Sequence, residues 1–597
     1  MNFPEIDVII ATKNSEKWIE PCFVAISNLN YPLEKLKIIV YDNSSDDRTV
    51  EVLKSVLARL SLNNIIIEGK TNLGFGVANN LAAAQGSAPF IFCLNIDTEI
   101  EKDCLMLWAN YLESDKDNKV GAWEFKQLPF EHPKLYNPAT LITSWCSGAA
   151  LIINRNIFDS LKGFDPKIFM YCEDLDLSWR IRAMGYSLKY LHFCKVVHHT
   201  YTNHYGGQLK VLSAITNNIL LRYRYGNLKD ILKGYHQFIL SFKRNLKGNR
   251  KAVMQYILQH FNKIPHYLKT RIKFKERQFY YWDFEVHRYG AELKNTSPIL
   301  TNDVLVSIII RTYNKPEFLR QAIQSVIFQT YKNWELIVVE DGGLTGEAVV
   351  ASFNDSRIKY LSSGEHIGRC AVGNKGLEES KGKYINFLDD DDMFYNDHVE
   401  TLLSNAIKTN ADAIYGLAYE SICEIISENP LHYVEKGIGL PIFTEFSRHT
   451  LATMNFMPIQ AVFFKRTLFE KYGGFDPVLD YLEDWDLWYR YGINSDFRLF
   501  PKVTSVYKTP YKPEIRKERQ VLLDKNLQYI KEKHQQQNIE LFGQAPEKHI
   551  DMQNLYFVSR LALKDYLNLK KQTMSWKSKL LIYPVTFSIK ILAKFRN

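Results

Sequence analysis

The stretch GKYINFLDDDDMFYND, residues 382–397, sets an apolar run from Tyr384 to Leu388 against four consecutive aspartates, Asp389 to Asp392. The run reads as a buried strand. Four like charges at its end repel one another and gain nothing from burial. Either the strand ends in a solvated acidic turn, or a cation, alone or carrying a polyphosphate, neutralises the acids.

The same design recurs along the chain. IDVIIATKN (6–14) matches LVSIIIRTYN (305–314), each a β-branched run ending in a polar turn. KIIVYDNSSDD (37–47) matches ELIVVEDGGLTG (335–346), where a strand ends in an acid, Asp42 or Asp341. TNLGFGVANNLAAAQGSAPFIFCLNIDTEI (71–100) matches EHIGRCAVGNKGLEESKGKYINFLDDDDMF (365–394). SGAALIINRNIFDSLKGFDPKIFMYCEDLDLSWRIRAMG (147–185) matches IQAVFFKRTLFEKYGGFDPVLDYLEDWDLWYRYG (459–492). Stations recurring in one order over so long a period indicate a duplicated domain rather than a short-period solenoid.

Between the stations, EKWIEPCFVAISNL (16–29) and PEFLRQAIQSVIFQ (316–329) carry helical apolar spacing. Alternating strands and helices predict α/β units with mainly parallel sheets, which bind ligands beyond the carboxyl ends of their strands. Asp42, Asp97, Asp341 and the 389–392 run fall at such ends. Residues 206–300 show no repeat and read as amphipathic helices rich in Lys, Arg and aromatics; the segment 516–597 reads as a second helical extension, ending SWKSKLLIYPVTFSIKILAKFRN. The expected layout is a first α/β domain over 1–205, a basic helical connector over 206–300, a second α/β domain over 301–515 and a helical extension over 516–597.

Composition bounds the function. A chain of 597 residues with 46% hydrophobic and 24% charged residues has core enough for several domains. A net charge of +9 is too weak at this length to point to nucleic acid. Eight scattered cysteines without a Cys-x-x-Cys pair argue against zinc or a disulfide framework and for reduced thiols in the cytosol. The opening MNFPEIDVIIATKN does not read as a signal peptide, and no apolar run reaches the length of a membrane span.

At these motifs the chain resembles the family 2 glycosyltransferases, which have the GT-A fold, a Rossmann-like α/β architecture. Both copies carry the resemblance. The first is most similar to the rhamnosyltransferase-type branch, through NLGFGVANN, LNIDTEI, GFDPKIFMYCEDLDLSWRIRAMG and VVHHTYTNH. The second is similar to enzymes that build bacterial surface polysaccharides, through EDGGLTG, FLDDDDMF and LEDWDLWYRYG. The resemblance implies that Asp42 and Asp341 accept a hydrogen bond from the donor's pyrimidine base. Asn72 and Gly74, with Gly368 and Asn374 in the second copy, would shape the nucleotide pocket. An Asp-x-Asp, Asp389 and Asp391, would hold Mn²⁺ or Mg²⁺ against the nucleotide diphosphate. The first copy departs from this pattern with Asn95-Ile96-Asp97, so the resemblance implies Asp97 as its metal ligand, with Glu99 nearby. Asp174 and Asp484 would be the catalytic bases of inverting transfers; Glu173, Glu483, Asp176 and Asp486 would support the pocket. Acids at a helix start also favour its dipole, which is compatible with that role. Of His198 and His199, the latter is favoured as a metal or diphosphate ligand, with a lone surface histidine as the open alternative; the second copy has Tyr507 and Lys508 in this region and no histidine.

The expected partners are nucleotide-diphosphate sugars and a glycan or lipid-linked oligosaccharide acceptor, with no nucleic acid. Basic aromatic helices in 206–300 and the C-terminal tail are expected to meet the anionic inner face of the plasma membrane, the alternative being that they only pack the domains together. Three functions remain open: a bifunctional transferase, a transferase whose second domain alone catalyses, and a non-catalytic carbohydrate-binding protein. Two sets of donor, metal and base stations argue against the last, because a binder needs no base.

Overall fold

The computed structural model describes residues 3–115, 119–129, 134–199, 208–245, 250–272, 288–291, 303–441 and 443–535. The tail expected to meet a membrane lies outside the described residues. The first sheet is built from β1 (Ile6–Thr12), β2 (Leu36–Asp42), β3 (Asn64–Glu68), β4 (Phe90–Leu94), β5 (Thr98–Ile100), β6 (Val120–Leu128), β7 (Ala150–Asn154) and β8 (Ser187–His198), in the order β3-β2-β1-β4-β7-β6-β8-β5. The second is built from β9 (Val306–Thr312), β10 (Trp334–Glu340), β11 (Ile358–Ser362), β12 (Tyr384–Asp389), β13 (Met393–Phe394), β14 (Ala413–Glu428), β15 (Leu431–Gly439), β16 (Val462–Lys465) and β17 (Phe497–Pro510), in the order β11-β10-β9-β12-β16-β14-β17-β13, with β15 on the side of β14. Strand for strand, the two orders coincide.

The central strands β1, β4, β9 and β12 are buried almost throughout, because helices cover both faces of this half of each sheet. β1, β2, β3 and β4 run parallel, as expected. The far half does not. β7 runs antiparallel to β4 and β6, and β16 does the same to β12 and β14. No crossover helix separates β6 from β7 among the described residues, so the chain turns back, and a mixed sheet results. β5 and β13 follow the acid loops and pair antiparallel with β8 and β17, which folds those loops over the strand ends.

The two α/β units share a core. Tyr136 and Tyr190 of the first pack with Met393, Tyr395, Tyr419 and Val503 of the second. Tyr136 Oη donates to Asn396 Oδ1 (2.5 Å), and Asn137 Nδ2 donates to Tyr433 Oη (3.1 Å). Asp397 is buried beneath this seam, held by Arg288 (2.9 and 3.0 Å) and Lys502 (2.7 Å).

Of the connector helices Gln208–Tyr225, Leu228–Asn245 and Arg250–Lys269, the first and third pack against the first unit, where Leu220, Leu221 and Tyr267 join Trp145, Ile168, Leu175 and Trp179, and the second packs on the first through Gly234 and Arg222. The helix Pro513–Lys533 packs against the second through Leu527 and Ile530. The two segments share no sequence pattern, yet each covers the same side of its unit.

Candidate active sites

Asp174 and Asp484 each occupy the second position of a helix, Glu173–Ala183 or Glu483–Tyr491. The residue before each helix is left-handed and is not glycine: Cys172 has φ 73° and Leu482 φ 62°. Such a conformation is costly and has to be held by its surroundings. Asp174 accepts from the backbone N–H of Gly148 (3.0 Å) and Leu175 (2.8 Å); Asp484 accepts from Asn455 Nδ2 (3.1 Å) and the Trp485 N–H (2.8 Å). Burial raises the carboxyl of Asp174 above the ordinary range. Burial, then Glu483, pushes Asp484 up to about 7. A carboxylate poised near neutrality suits a general base.

The neighbouring glutamates differ. Glu173 is buried, its Oε2 has no hydrogen-bond partner among the described residues, and burial together with Asp174 pushes it up to about 8. Glu483 is ion-paired to Arg311 (2.9 Å) and Arg369 (3.5 Å). Arg311 also grips Asp389 Oδ1 through Nε (3.0 Å) and Nη2 (2.7 Å). Burial opposes the charge on Asp389, but Arg311 and Arg369 pull its carboxyl below the usual range.

The acidic run is therefore answered largely from within the chain. Asp389 belongs to Arg311. Asp390 accepts from Thr312 Oγ1 (2.9 Å) and lies 3.3 Å from Lys315 Nζ; Asp391 Oδ2 takes Lys315 Nζ at 2.9 Å; Asp392 Oδ1 accepts the Lys508 N–H (3.1 Å). Arg311 was not among the site residues expected from sequence. Its counterpart on β1 is Ala11, and that of Asp389 is Asn95, so the pair is present together or absent together. The missing acid of the first copy is thus a missing ion pair. What the copies share is the second acid, Asp97 or Asp391.

Asp97 has an imidazole beside it, and that imidazole is His198, with Nε2 3.3 Å from Asp97 Oδ1 and Nδ1 2.8 Å from Gln127 Oε1. The expected histidine, His199, donates its backbone N–H to the Asp97 carbonyl (3.0 Å), while its ring stacks on Trp18 and meets Glu99 Oε1 at 2.6 Å. Thr98 of β5 lies opposite His198, and Met393 of β13 opposite Val506. Lys508 therefore holds the place of His199, and its ammonium reaches the Asp391 carbonyl. Among the described residues no three His, Cys, Asp or Glu side chains converge on one point. A single carboxylate per copy fits Mg²⁺ or Mn²⁺ only if phosphate and water supply the other ligands, which is how such hard cations bind nucleotides.

Register corrects the donor station. Thr12 lies opposite Asp42, and Thr312 lies opposite Glu340. The N–H groups of Asn43 and Asp341 donate to the Thr12 and Thr312 carbonyls (2.8 and 2.9 Å). Asp341 thus corresponds to Asn43, and Asp42 to Glu340. Asp42 accepts from Ser45 N (2.8 Å) and Oγ (2.5 Å), as Glu340 accepts from Gly346 N (2.8 Å) and Thr345 Oγ1 (2.7 Å); both brace the following turn. Asn43 Oδ1 accepts the Leu73 N–H (3.0 Å), as Asp341 accepts those of Ile367 (2.7 Å) and Gly368 (3.1 Å).

Gly74 and Gly368 precede the helices Phe75–Ala83 and Arg369–Glu379 with φ 81° and 90°, which favours glycine. A Cβ on Gly368 would meet nothing within 4 Å, whereas one on Gly74 would strike the Phe169 carbonyl. Asn72 Oδ1 accepts the Gly74 N–H (3.0 Å) and shapes this turn. Asn374 has a different task from the one expected. Its amide accepts from Phe475 N (2.7 Å) and donates to Phe475 O (2.9 Å), so it ties two motifs together, as Asn80 does with Phe164 (2.8 and 2.9 Å). Beside Asp341, the exposed rings of Tyr313 and His366 pack at 4.6 Å, and His366 Nδ1 lies 2.9 Å from Asp341 Oδ2. The first copy has Lys13 and Asn72 in their places.

Asp176 and Asp486 do not line a pocket. Both are fully buried, paired to Arg180 (2.8 Å) or Arg490 (2.9 Å) one turn along the same helix. Arg224 of the connector bridges Asp176 (2.5 Å) to Asp165 (2.6 Å). Lys533 bridges Asp486 (2.8 Å) to Asp476 (2.6 Å), and His534 adds a 2.8 Å contact to Asp486. Each helical extension is thereby clamped to the helix that carries the candidate base.

A model of the family "Glycosyl transferase family 2" matches residues 7–176 and again residues 307–473. An uncharacterized glycosyltransferase of Rickettsia typhi is 32% identical over 214 residues, 35% of this chain and 62% of that protein. An Escherichia coli UDP-Glc:alpha-D-GlcNAc-diphosphoundecaprenol beta-1,3-glucosyltransferase, WfgD, is 38% identical over 116 residues, 19% of this chain and 46% of that protein. The chain therefore spans less than two thirds of these relatives. A mannosyltransferase from Pyrobaculum calidifontis, solved in complex with GDP-Man and Mn²⁺, superposes with a TM-score of 0.31 at 19% identity, over 45% of this chain and 73% of that one. With two matches that together cover more than half of its length, the chain belongs to the family 2 glycosyltransferases.

Proposed function

We propose that the chain is a bifunctional inverting glycosyltransferase, transferring hexosyl or deoxyhexosyl groups from nucleotide-diphosphate sugars to a growing, lipid-linked bacterial surface glycan. The observation that carries this is the duplicated base: Asp174 and Asp484 hold one position on one kind of helix, and burial raises both carboxyls. In each site the aspartate takes the proton of an acceptor hydroxyl. That oxygen bonds to the anomeric carbon from the face opposite the diphosphate, whose bond to the carbon breaks. Such a base contributes about 10²- to 10⁴-fold. Asp341 and Gly368 border the donor nucleotide in the second site; Asn43, Asn72 and Gly74 border it in the first. Asp391 in the second site and Asp97 with His198 in the first would hold Mg²⁺ or Mn²⁺. That cation offsets charge on the leaving diphosphate. The lipid-linked acceptor is supported by the name of the E. coli relative, and a transferase using such an acceptor would work at the inner face of a membrane. The two sites flank a shared core, an arrangement that suits two additions to one chain.

A second reading, with the first domain as a scaffold, is favoured by one observation, the replacement of the Arg311–Asp389 pair by Ala11 and Asn95. Product mass decides. Across a panel of nucleotide sugars, Asp174→Asn and Asp484→Asn should each stop a different transfer, one product being a sugar shorter than the other. Unchanged products from Asp174→Asn would hand catalysis to the second domain alone.

A further inference from the structure

The connector helices Leu228–Asn245 and Arg250–Lys269 keep apolar side chains in solvent. Leu228, Leu232 and Ile239 on the first, and Leu258, Phe261 and Leu268 on the second, are between 47% and 70% exposed. Steps of four and seven residues on one helix, and of three and seven on the other, align each set into a single stripe. The opposite sides are occupied: Gly234 packs on Arg222, and His260 and Tyr267 are buried. Each helix therefore has one side for the protein and one apolar side away from it.

Charge says what meets that side. Residues 228–271 contain Lys229, Lys233, Lys243, Lys247, Lys251, Lys263, Lys269, Arg244, Arg250 and Arg271 against the single acid Asp230. Lys229, Lys233, Lys269 and Arg271 are exposed near the stripes. A second copy of the chain would bring cation to cation. Apolar stripes flanked by lysine and arginine match the interface of an anionic bilayer, where the stripe enters the headgroup boundary and the cations meet lipid phosphate. Among the described residues no helix is long and apolar enough to cross a membrane, so this contact is one of lying on the surface.

We propose that this helix pair is a membrane-docking element that rests on an anionic lipid surface. The purpose of such docking rests on the lipid-linked acceptor of the proposed function; the binding itself does not. Because Arg224 clamps the preceding helix to Asp165 and Asp176, directly under the helix of Asp174, the lipid contact also fixes how the first site faces the membrane.

The test is flotation of the full-length protein with phosphatidylcholine vesicles, with or without one third phosphatidylglycerol, in the absence of donor and acceptor. The parent should float with the anionic vesicles, and less so as salt rises. Leu232→Gln with Phe261→Gln, both at exposed positions, should reduce partitioning by about tenfold or more. Lys229→Gln with Lys233→Gln should erase the preference for anionic vesicles. Thermal midpoints and nucleotide binding equal to the parent's would show intact folds. Parent protein that fails to float, or variants that float like the parent, would overturn the proposal; so would an apolar variant that floats normally but breaks up an oligomer, since the stripe would then be a protein interface. Loss of transfer with flotation unchanged would instead count against the proposed function.

Discussion

Replacing Asp484 by asparagine separates charge from shape. The carboxylate is buried, accepts from Trp485 N and Asn455 Nδ2, and titrates at about 7. The folded state therefore holds the proton more tightly than the unfolded chain, whose carboxyl titrates near ~4. Stability is fully present below that range and is lost as pH rises towards 7. Between pH 6 and pH 8 this group alone costs about 1 kcal/mol. Asparagine keeps the shape and one backbone hydrogen bond and has nothing to ionise. Asp484→Asn should therefore flatten this part of the pH–stability curve and make the protein more stable at pH 8, while transfer by the second site falls by about 10²-fold or more. In the parent, that transfer should rise with pH through about 7, as the base loses its proton. Urea unfolding at pH 6 and pH 8, beside nucleotide-diphosphate release at the same pH values, measures both effects. A variant less stable than the parent at pH 8, or one that retains transfer, would refute the assignment.

Two further expectations rest on the charge network. Arg311→Ala leaves Asp389 and Glu483 buried without their shared cation and should cost about 3–5 kcal/mol in urea unfolding; adding Asp389→Asn, which copies Ala11 and Asn95 of the first unit, should restore most of that loss, whereas a cost below about 1 kcal/mol for the single change would mean that the pair is solvent-screened. EDTA should abolish transfer by the second site, with Mn²⁺ or Mg²⁺ restoring it, and full activity after stripping would remove Asp391 from the metal role.

The sequence alone determined the two α/β units, because strands buried on both faces must be written as apolar runs, and runs such as Val306–Thr312 and Tyr384–Leu388 announce themselves; the strand order and the antiparallel far half of each sheet came from the structure. It also marked the helix starts Glu173-Asp174 and Glu483-Asp484, since acids at the start of a helix that otherwise packs into a core stand out. Three further things were decided only in three dimensions. The pairing of Asp341 with Asn43 rather than Asp42 is a shift of one residue between two acidic strand ends, and only backbone register fixes it. The grip of Arg311 on Asp389 joins positions 78 residues apart, and a lone arginine in an apolar strand says nothing of its partner until the strands lie side by side. The clamps of Arg224 and Lys533 come from segments with no common pattern. What they share is a place in space, where a buried carboxylate pair needs one cation and any helix that delivers it will serve.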